Sequence, residues 1–333
     1  MFLKFKKSFW PMAINVFIGF VLVVVGASKA GACSICGCGD PLQSAGSAHP
    51  LANTFRLAFE NVYLAASAQS DDLASTESVR QINLNTTLTY SPVNDLTLSV
   101  MLPVVEKYWS LLPPGGPGAV GTDTGTPFGI GDVMVGVRYF FWQDPDYKIK
   151  LHQAFAASVG TYIPTGGTDF VSQITGNNLD THSQLGTGAW GLYGGLLYNR
   201  LMEDFTLNVN FNVIVHTTPA TTDPNSPVFQ YTFGTSYTGG ISGQLNVTDS
   251  LAISLALEGR YATSDTKEND QGTGIRTDPN TGGTVLDLSP GLSWNITGDS
   301  TLYAKVQIPI YTNLIGVQKI DPTYIVGTQF LFK

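Results

Sequence analysis

The sequence predicts an all-β protein: a membrane-spanning, antiparallel, up-and-down β-barrel of about 12 strands. Three observations carry that prediction. Apolar residues alternate with polar ones through segment after segment. The connections between segments alternate between short and long. The chain also opens with an export signal and then holds no uninterrupted apolar run long enough for a membrane helix.

The alternation is clearest in the run Phe205, Leu207, Val209, Phe211, Val213 and Val215, which is apolar at every odd position. Thr206, Asn208, Asn210, Asn212, Ile214 and His216 lie between. Successive side chains on a strand point to opposite faces, so this segment has one oily face and one mostly polar face. The pattern predicts strands near 53–67, 79–91, 95–106, 129–142, 148–163, 185–200, 204–216, 228–247, 251–263, 284–296, 301–311 and 322–332. The sixth is rich in glycine and has the weakest register.

Short connections carry turn residues, as in Ser91-Pro92-Val93-Asn94-Asp95, Gln143-Asp144-Pro145-Asp146, Met202-Glu203-Asp204, Thr248-Asp249-Ser250 and Thr297-Gly298-Asp299-Ser300. Long polar loops fall near 68–78, 107–128, 164–184, 217–227, 264–283 and 312–321. Bacterial barrels keep short turns in the periplasm and long loops outside. An even strand count puts both chain ends on the periplasmic side. It also lets first and last strands pair, which removes the open edges that lipid cannot satisfy. One long loop folding inward would narrow the lumen, but the pattern does not choose which.

Residues 1–32 have the order of a secretory signal peptide. Lys4, Lys6 and Lys7 precede an apolar stretch from about Ile14 to Val25, then Ala30-Gly31-Ala32. The expected mature chain is a Cys-rich segment over 33–52, in the periplasm or plugging the lumen, followed by a barrel over 53–333. The formal net charge is −8, which argues against an electrostatic nucleic-acid partner. Charged residues are 13% of the chain, against roughly 25% for soluble domains, and this favours a Gram-negative outer-membrane location. Aromatic residues such as Tyr90, Tyr139, Phe141, Trp142, Tyr198, Trp294 and Tyr324 gather beside turns, as interfacial belts require.

Strand parity nominates the inward residues. It sends Arg56, Glu60, Arg138, Lys150, His152, Asn208, Asn210, Asn212, Glu258, Arg260 and Lys305 to the lumen. A charge on the lipid face at bilayer depth costs roughly 2–4 kcal/mol, so ionised residues belong inside. Two roles stay open for them: lining a pore of mixed charge, or pairing across the lumen to fill and stiffen it.

The second candidate site is Cys33-Ser34-Ile35-Cys36-Gly37-Cys38. All three cysteines of the chain lie there. Cys33, Cys36 and Cys38, with His49 as a fourth ligand, suit a soft metal ion such as Cu(I) or Zn. A disulfide in an oxidising periplasm, or lipidation of Cys33, explains the same residues. No cofactor is certain. No GxSxG, HExxH or P-loop motif is present, so no catalytic residues are nominated and an enzyme is not expected.

Several strand-end motifs resemble the outer-membrane channels grouped with the phenol meta-pathway proteins. They are Gly129-Ile130-Gly131-Asp132-Val133, Tyr162-Ile163-Pro164-Thr165-Gly166, Leu185-Gly186-Thr187-Gly188 and the stretch from Leu288-Ser289-Pro290-Gly291-Leu292 through Ile308-Pro309-Ile310-Tyr311 to Gly316-Val317-Gln318. They occur in the family's order over roughly 50–333. The resemblance implies an outer-membrane channel or transporter for small solutes, aromatic or hydrophobic in some members. Its partners would be outer-membrane lipid and the solute, with oligomeric state unknown. The Cys-rich segment and the terminal Phe332-Lys333 depart from the family pattern. The alternative is a non-transporting structural barrel with a metal- or redox-active N-terminal segment.

Overall fold

The alternating segments close into one sheet in the computed structural model, which describes residues 51–69, 76–112, 123–146, 151–174, 176, 178–220, 230–268, 274–278 and 280–333. Twelve strands form the wall. They are β1 (Thr54–Gln69), β2 (Thr76–Val93), β3 (Leu96–Leu112), β4 (Val133–Asp146), β5 (Leu151–Ile163) and β6 (Gly191–Leu201). β7 (Phe205–His216), β8 (Ser236–Asn246), β9 (Leu251–Ala262), β10 (Gly283–Thr297), β11 (Ser300–Leu314) and β12 (Thr323–Phe332) complete it. Each strand pairs antiparallel with its sequence neighbour. β1 then pairs with β12, from Phe55 opposite Phe332 to Tyr63 opposite Tyr324, and this closes the barrel. Closure satisfies every strand edge internally, which a hydrocarbon environment demands.

The oily faces point outward. Leu84 and Leu88 on β2, Val100 and Leu102 on β3, Val135 and Tyr139 on β4, and Ile253 and Leu255 on β9 are all exposed. An apolar surface this continuous greatly exceeds what a soluble monomer leaves bare, and lipid covers it. A register shift between Phe140 and Trp142 sharpens the belt. It breaks the alternation locally, so Phe140 is buried inside while Phe141 and Trp142 both face out. Trp142, Phe155 and Tyr198 then form a ladder with ring centroids 5.5 and 4.7 Å apart.

The two rims differ. At one, tight turns such as Asn94-Asp95 and Gly298-Asp299 join the strands. Thr54 of β1 and Phe332 of β12 lie at this same rim. The other rim carries the long loops and added short strands. Asp123–Gly125 and Phe128–Ile130 pair with the far half of β3 and raise the wall there. Gln318–Ile320 does the same beside β1. A separate three-stranded sheet joins Tyr231–Thr232, Thr266–Glu268 and Ile275–Thr277.

Three strand starts differ from the sequence reading by four residues or more, and the third strand runs on to Leu112, past the expected end at 106. The fourth strand, expected from 129, breaks at Gly131-Asp132 because the Asp132 carboxylate turns inward and is captured by loop amides. The sixth, expected from 185, begins at Gly191, since Leu185 to Trp190 belong to a loop that enters the lumen. The eighth, expected from 228, begins at Ser236, because Tyr231 and Thr232 join the separate sheet instead.

Candidate functional site: the lumen and its inward loop

The lumen holds a cavity of about 600 Å³. Its wall is uneven in chemistry. Met101, Pro103 and Val105 of β3, Tyr162 of β5, and Leu197 and Leu201 of β6 give a largely apolar arc, interrupted by Arg138 of β4. Ser254, Glu258 and Arg260 of β9, Ser289 and Ser293 of β10, Tyr303, Lys305 and Gln307 of β11, and Gln81, Asn83 and Asn85 of β2 give a hydrogen-bonding arc.

Charges in the polar arc are engaged with each other. Glu258 accepts from Gln307 Nε2 at 2.9 Å and from Ser289 Oγ, and its other oxygen lies 3.3 Å from Lys305 Nζ. Arg260 Nη2 meets Asp287 Oδ2 at 3.1 Å. Tyr303 donates its hydroxyl to Glu60 Oε2 at 2.8 Å. Pairing of this kind makes a semi-buried charge tolerable, because each desolvated group keeps an ionic or hydrogen-bond partner.

The loop between β5 and β6 descends into the lumen, and Thr181, His182, Gln184, Leu185, Gly186 and Thr187 face the cavity. Two clasps hold it to the wall. The first is Asp132. Its Oδ1 accepts from Gly166 N at 3.0 Å, and its Oδ2 accepts from Thr187 N and Thr187 Oγ1, both at 2.7 Å. Thr165 Oγ1 donates to Gly131 O at 2.8 Å and accepts from Val133 N at 3.0 Å. Three separate glycine-bearing motifs of the sequence therefore meet at one carboxylate. Glycine is required at the crossing: a Cβ on Gly166 would lie 2.5 Å from the Gly186 Cα, and one on Gly186 would lie 2.5 Å from Asp132 Oδ1.

The second clasp is Lys107 on β3. Its buried ammonium donates to His182 O at 2.8 Å and Gln184 O at 2.5 Å. Ser183 Oγ donates to Glu77 Oε1 at 3.0 Å, and the indole of Trp109 donates to the same oxygen. Gln184 closes the loop on itself by accepting from Phe170 N and donating to Phe170 O and Leu179 O, each at 3.0 Å.

Above the loop lies a buried polar cluster. His182 Nε2 sits 2.7 Å from the Tyr231 hydroxyl and 2.8 Å from Asp265 Oδ2. The Tyr231 hydroxyl is also 2.7 Å from Asp265 Oδ2 and 2.9 Å from Asp278 Oδ2. Lys267 Nζ pairs with Asp278 Oδ1 at 2.5 Å. Burial, and then the adjacent Asp265 and Asp278, push the Tyr231 hydroxyl far above its ordinary range, so it stays a donor. Burial raises the Asp278 carboxyl, against the opposing pull of Lys267.

The nominated residues distribute as follows. Glu60, Arg138, Asn208, Asn210, Glu258, Arg260 and Lys305 face the cavity. Asn212 is buried, where it accepts from the Tyr193 hydroxyl at 2.8 Å. Arg56 and His152 share the inward parity of their strands but lie off the cavity. Lys150, Cys33, Cys36, Cys38 and His49 lie outside the described residues. The sequence reading passed over Lys107, Asp132, His182, Tyr231, Asp265 and Asp278 as site residues. Parity held a signal for Lys107, which continues the inward series Ser99, Met101, Pro103 and Val105.

A closed twelve-stranded barrel with an apolar exterior, a charge-paired lumen and an inward loop is a porin-like membrane barrel of the outer-membrane class. The family model described as "Putative MetA-pathway of phenol degradation" matches residues 64–313, and the chain belongs to that family. Among solved structures, an outer-membrane channel from Pseudomonas putida F1 is similar at 14% identity and TM-score 0.58, covering 86% of this chain and 97% of that one. The transport unit of the autotransporter AIDA-I from Escherichia coli is similar at 9% identity and TM-score 0.52, covering 84% and 90%. At these identities the structural likeness shows the fold alone. No curated protein gives a significant match.

Proposed function

We propose that the chain is an outer-membrane channel that passes small, uncharged, amphiphilic solutes, with its short-turn rim and both chain ends in the periplasm. The observation that carries this reading is the two-faced cavity, an apolar arc opposite a hydrogen-bonding arc, inside a closed wall. Because Glu258 with Lys305 and Arg260 with Asp287 neutralise each other, the lumen offers neutral donors and acceptors more than net charge. A hydroxylated ring fits both arcs at once. Family membership agrees with a solute of that kind. Glu60, Arg138, Asn208, Asn210, Glu258, Arg260 and Lys305 are the residues assigned to the path.

The test is current blockade in planar bilayers. Resorcinol should interrupt single-channel current at lower concentration than glucose or benzoate. Equal blockade by all three would remove the amphiphile assignment. Absence of conductance steps would favour the non-transporting structural barrel.

The thiol spacing Cys33, Cys36 and Cys38, with all cysteines of the chain in one short stretch, favours a second role: a soft-metal site completed by His49. Metal analysis of the reduced protein, set against Cys36→Ser, tests it. Identical metal content in the two would end the idea.

A further inference from the structure

We propose that the solute path is eccentric: it follows the inward faces of β8 to β11 and the adjoining half of β7, because the inward faces of β3 to β6 are packed into a core inside the barrel. The proposal rests on the channel reading for what moves along the path, but not for where water reaches.

Parity turns every second residue inward on all strands, yet those residues are not equally wetted. On β4 to β6 they are sealed. Met134 and Ala154 are 0% exposed, and Phe140, Ala156 and Tyr193 are at most 4% exposed. They pack in two apolar clusters. Met101, Met134, Tyr193 and Ile214 form the first, with Tyr162 against it. Phe140, Ala154, Ala156 and Leu197 form the second. Tyr193 pairs with Gly160, while Leu197 pairs with Ala156 nearer the short-turn rim, so the clusters follow one another along the wall.

The polar groups among them are satisfied locally. Arg138 Nε donates to Ser158 Oγ, and Ser99 Oγ donates to Gly136 O, both at 3.1 Å. Asn199, 0% exposed, donates to Asn208 Oδ1 at 2.5 Å. A Cβ on Gly195 would lie 2.9 Å from the Tyr193 hydroxyl, so this glycine lets the Tyr193–Asn212 pair lie close to the wall. This side of the barrel has the character of a protein interior. Close-packed apolar side chains leave no room for water or for a hydrated ion.

The opposite side stays open. Asn208 and Asn210 of β7, Ser293 and Asn295 of β10, and Thr301 and Tyr303 of β11 are half-buried or exposed and line the cavity. Glu258 and Ser289 are buried there too, but Lys305 and Gln307, which hydrogen-bond Glu258, themselves face the cavity. The cavity borders the internal core at Met101, Arg138, Tyr162, Leu197 and Ile214. A solute therefore moves with hydroxyls and amides on one side and the flank of the core on the other.

The experiment uses the full-length chain with Cys33, Cys36 and Cys38 replaced by serine and one new cysteine at a time. Ser293→Cys and Thr301→Cys report the open side, and Ala154→Cys and Ala156→Cys report the core. A negatively charged methanethiosulfonate is the probe, with labelling read by mass in detergent and current read in planar bilayers. Gel mobility without boiling confirms an intact barrel, and either core position serves if the other fails to assemble. Ser293→Cys and Thr301→Cys should label readily and lose current on labelling. Ala154→Cys and Ala156→Cys should label about tenfold or more slowly, since they wait on local opening, and their current should hold.

A core cysteine that labels as fast as Ser293→Cys in an intact barrel overturns the eccentric path, as does failure of both open-side cysteines to label. The two readings fail separately. The expected labelling without conductance steps leaves the one-sided wetting and removes the channel. Steps from every variant with equal labelling leave the channel and remove the eccentric path.

Discussion

The barrel wall and the inward loop obey opposite rules. The wall is built from a local repeat, in which each residue's face follows from its parity and its neighbours are set by strand order. The loop is built from single long-range contacts. Asp132 reaches Thr187 across 55 residues, and Lys107 reaches His182 across 75. The wall tolerates change at many positions because its free energy is spread over apolar area and backbone pairing. The loop depends on a few buried donors and acceptors, where one lost partner strands another group.

That contrast is testable in descending order of effect. Leu255→Arg puts a cation on the lipid face and should destabilise the barrel by about 2–4 kcal/mol, while Ser254→Arg, one residue away on the lumen face, should leave stability nearly unchanged. Unfolding of both in urea and liposomes measures this, and equal losses would break the parity assignment. Asp132→Ala should leave wall stability intact yet strand three donors. It should loosen residues 164–190 by about 2–3 kcal/mol, read as faster amide exchange confined to that loop.

Gly186→Ala forces a Cβ against Asp132 and should loosen the same loop by about 1–3 kcal/mol. Limited proteolysis would report it, and protection equal to the unaltered chain would show that the crossing has slack. Lys107→Met removes two donors to loop carbonyls while keeping the stem. The expected change is about 1–2 kcal/mol in loop exchange, with no change in barrel melting. Thr187→Val is the mildest, about 1 kcal/mol, because the Thr187 backbone N–H still reaches Asp132.

The same contrast explains what the sequence could reveal. Outward faces such as Leu251, Ile253, Leu255 and Leu257 are readable because a period of two has no other physical cause over that length. The Phe140–Trp142 bulge was not readable, since three consecutive aromatics obey either parity. The loop at 164–184 looks like ordinary polar surface, because its grip on the wall comes from single side chains, Asp132, Lys107 and Glu77, rather than from any periodicity. Asp132 was visible only as part of a resembling motif. Its role as the acceptor shared by Gly166 and Thr187 needs three distant segments in one place. His182 looked like an isolated histidine, since Tyr231, Asp265 and Asp278 come together only in the folded loops.

Single-channel conductance of the unaltered chain against Asp132→Ala tests most directly whether this is a hydrated bore narrowed by a clasped loop. The expected result is discrete steps from both proteins, larger from Asp132→Ala. Silence from both, or identical steps, would contradict it.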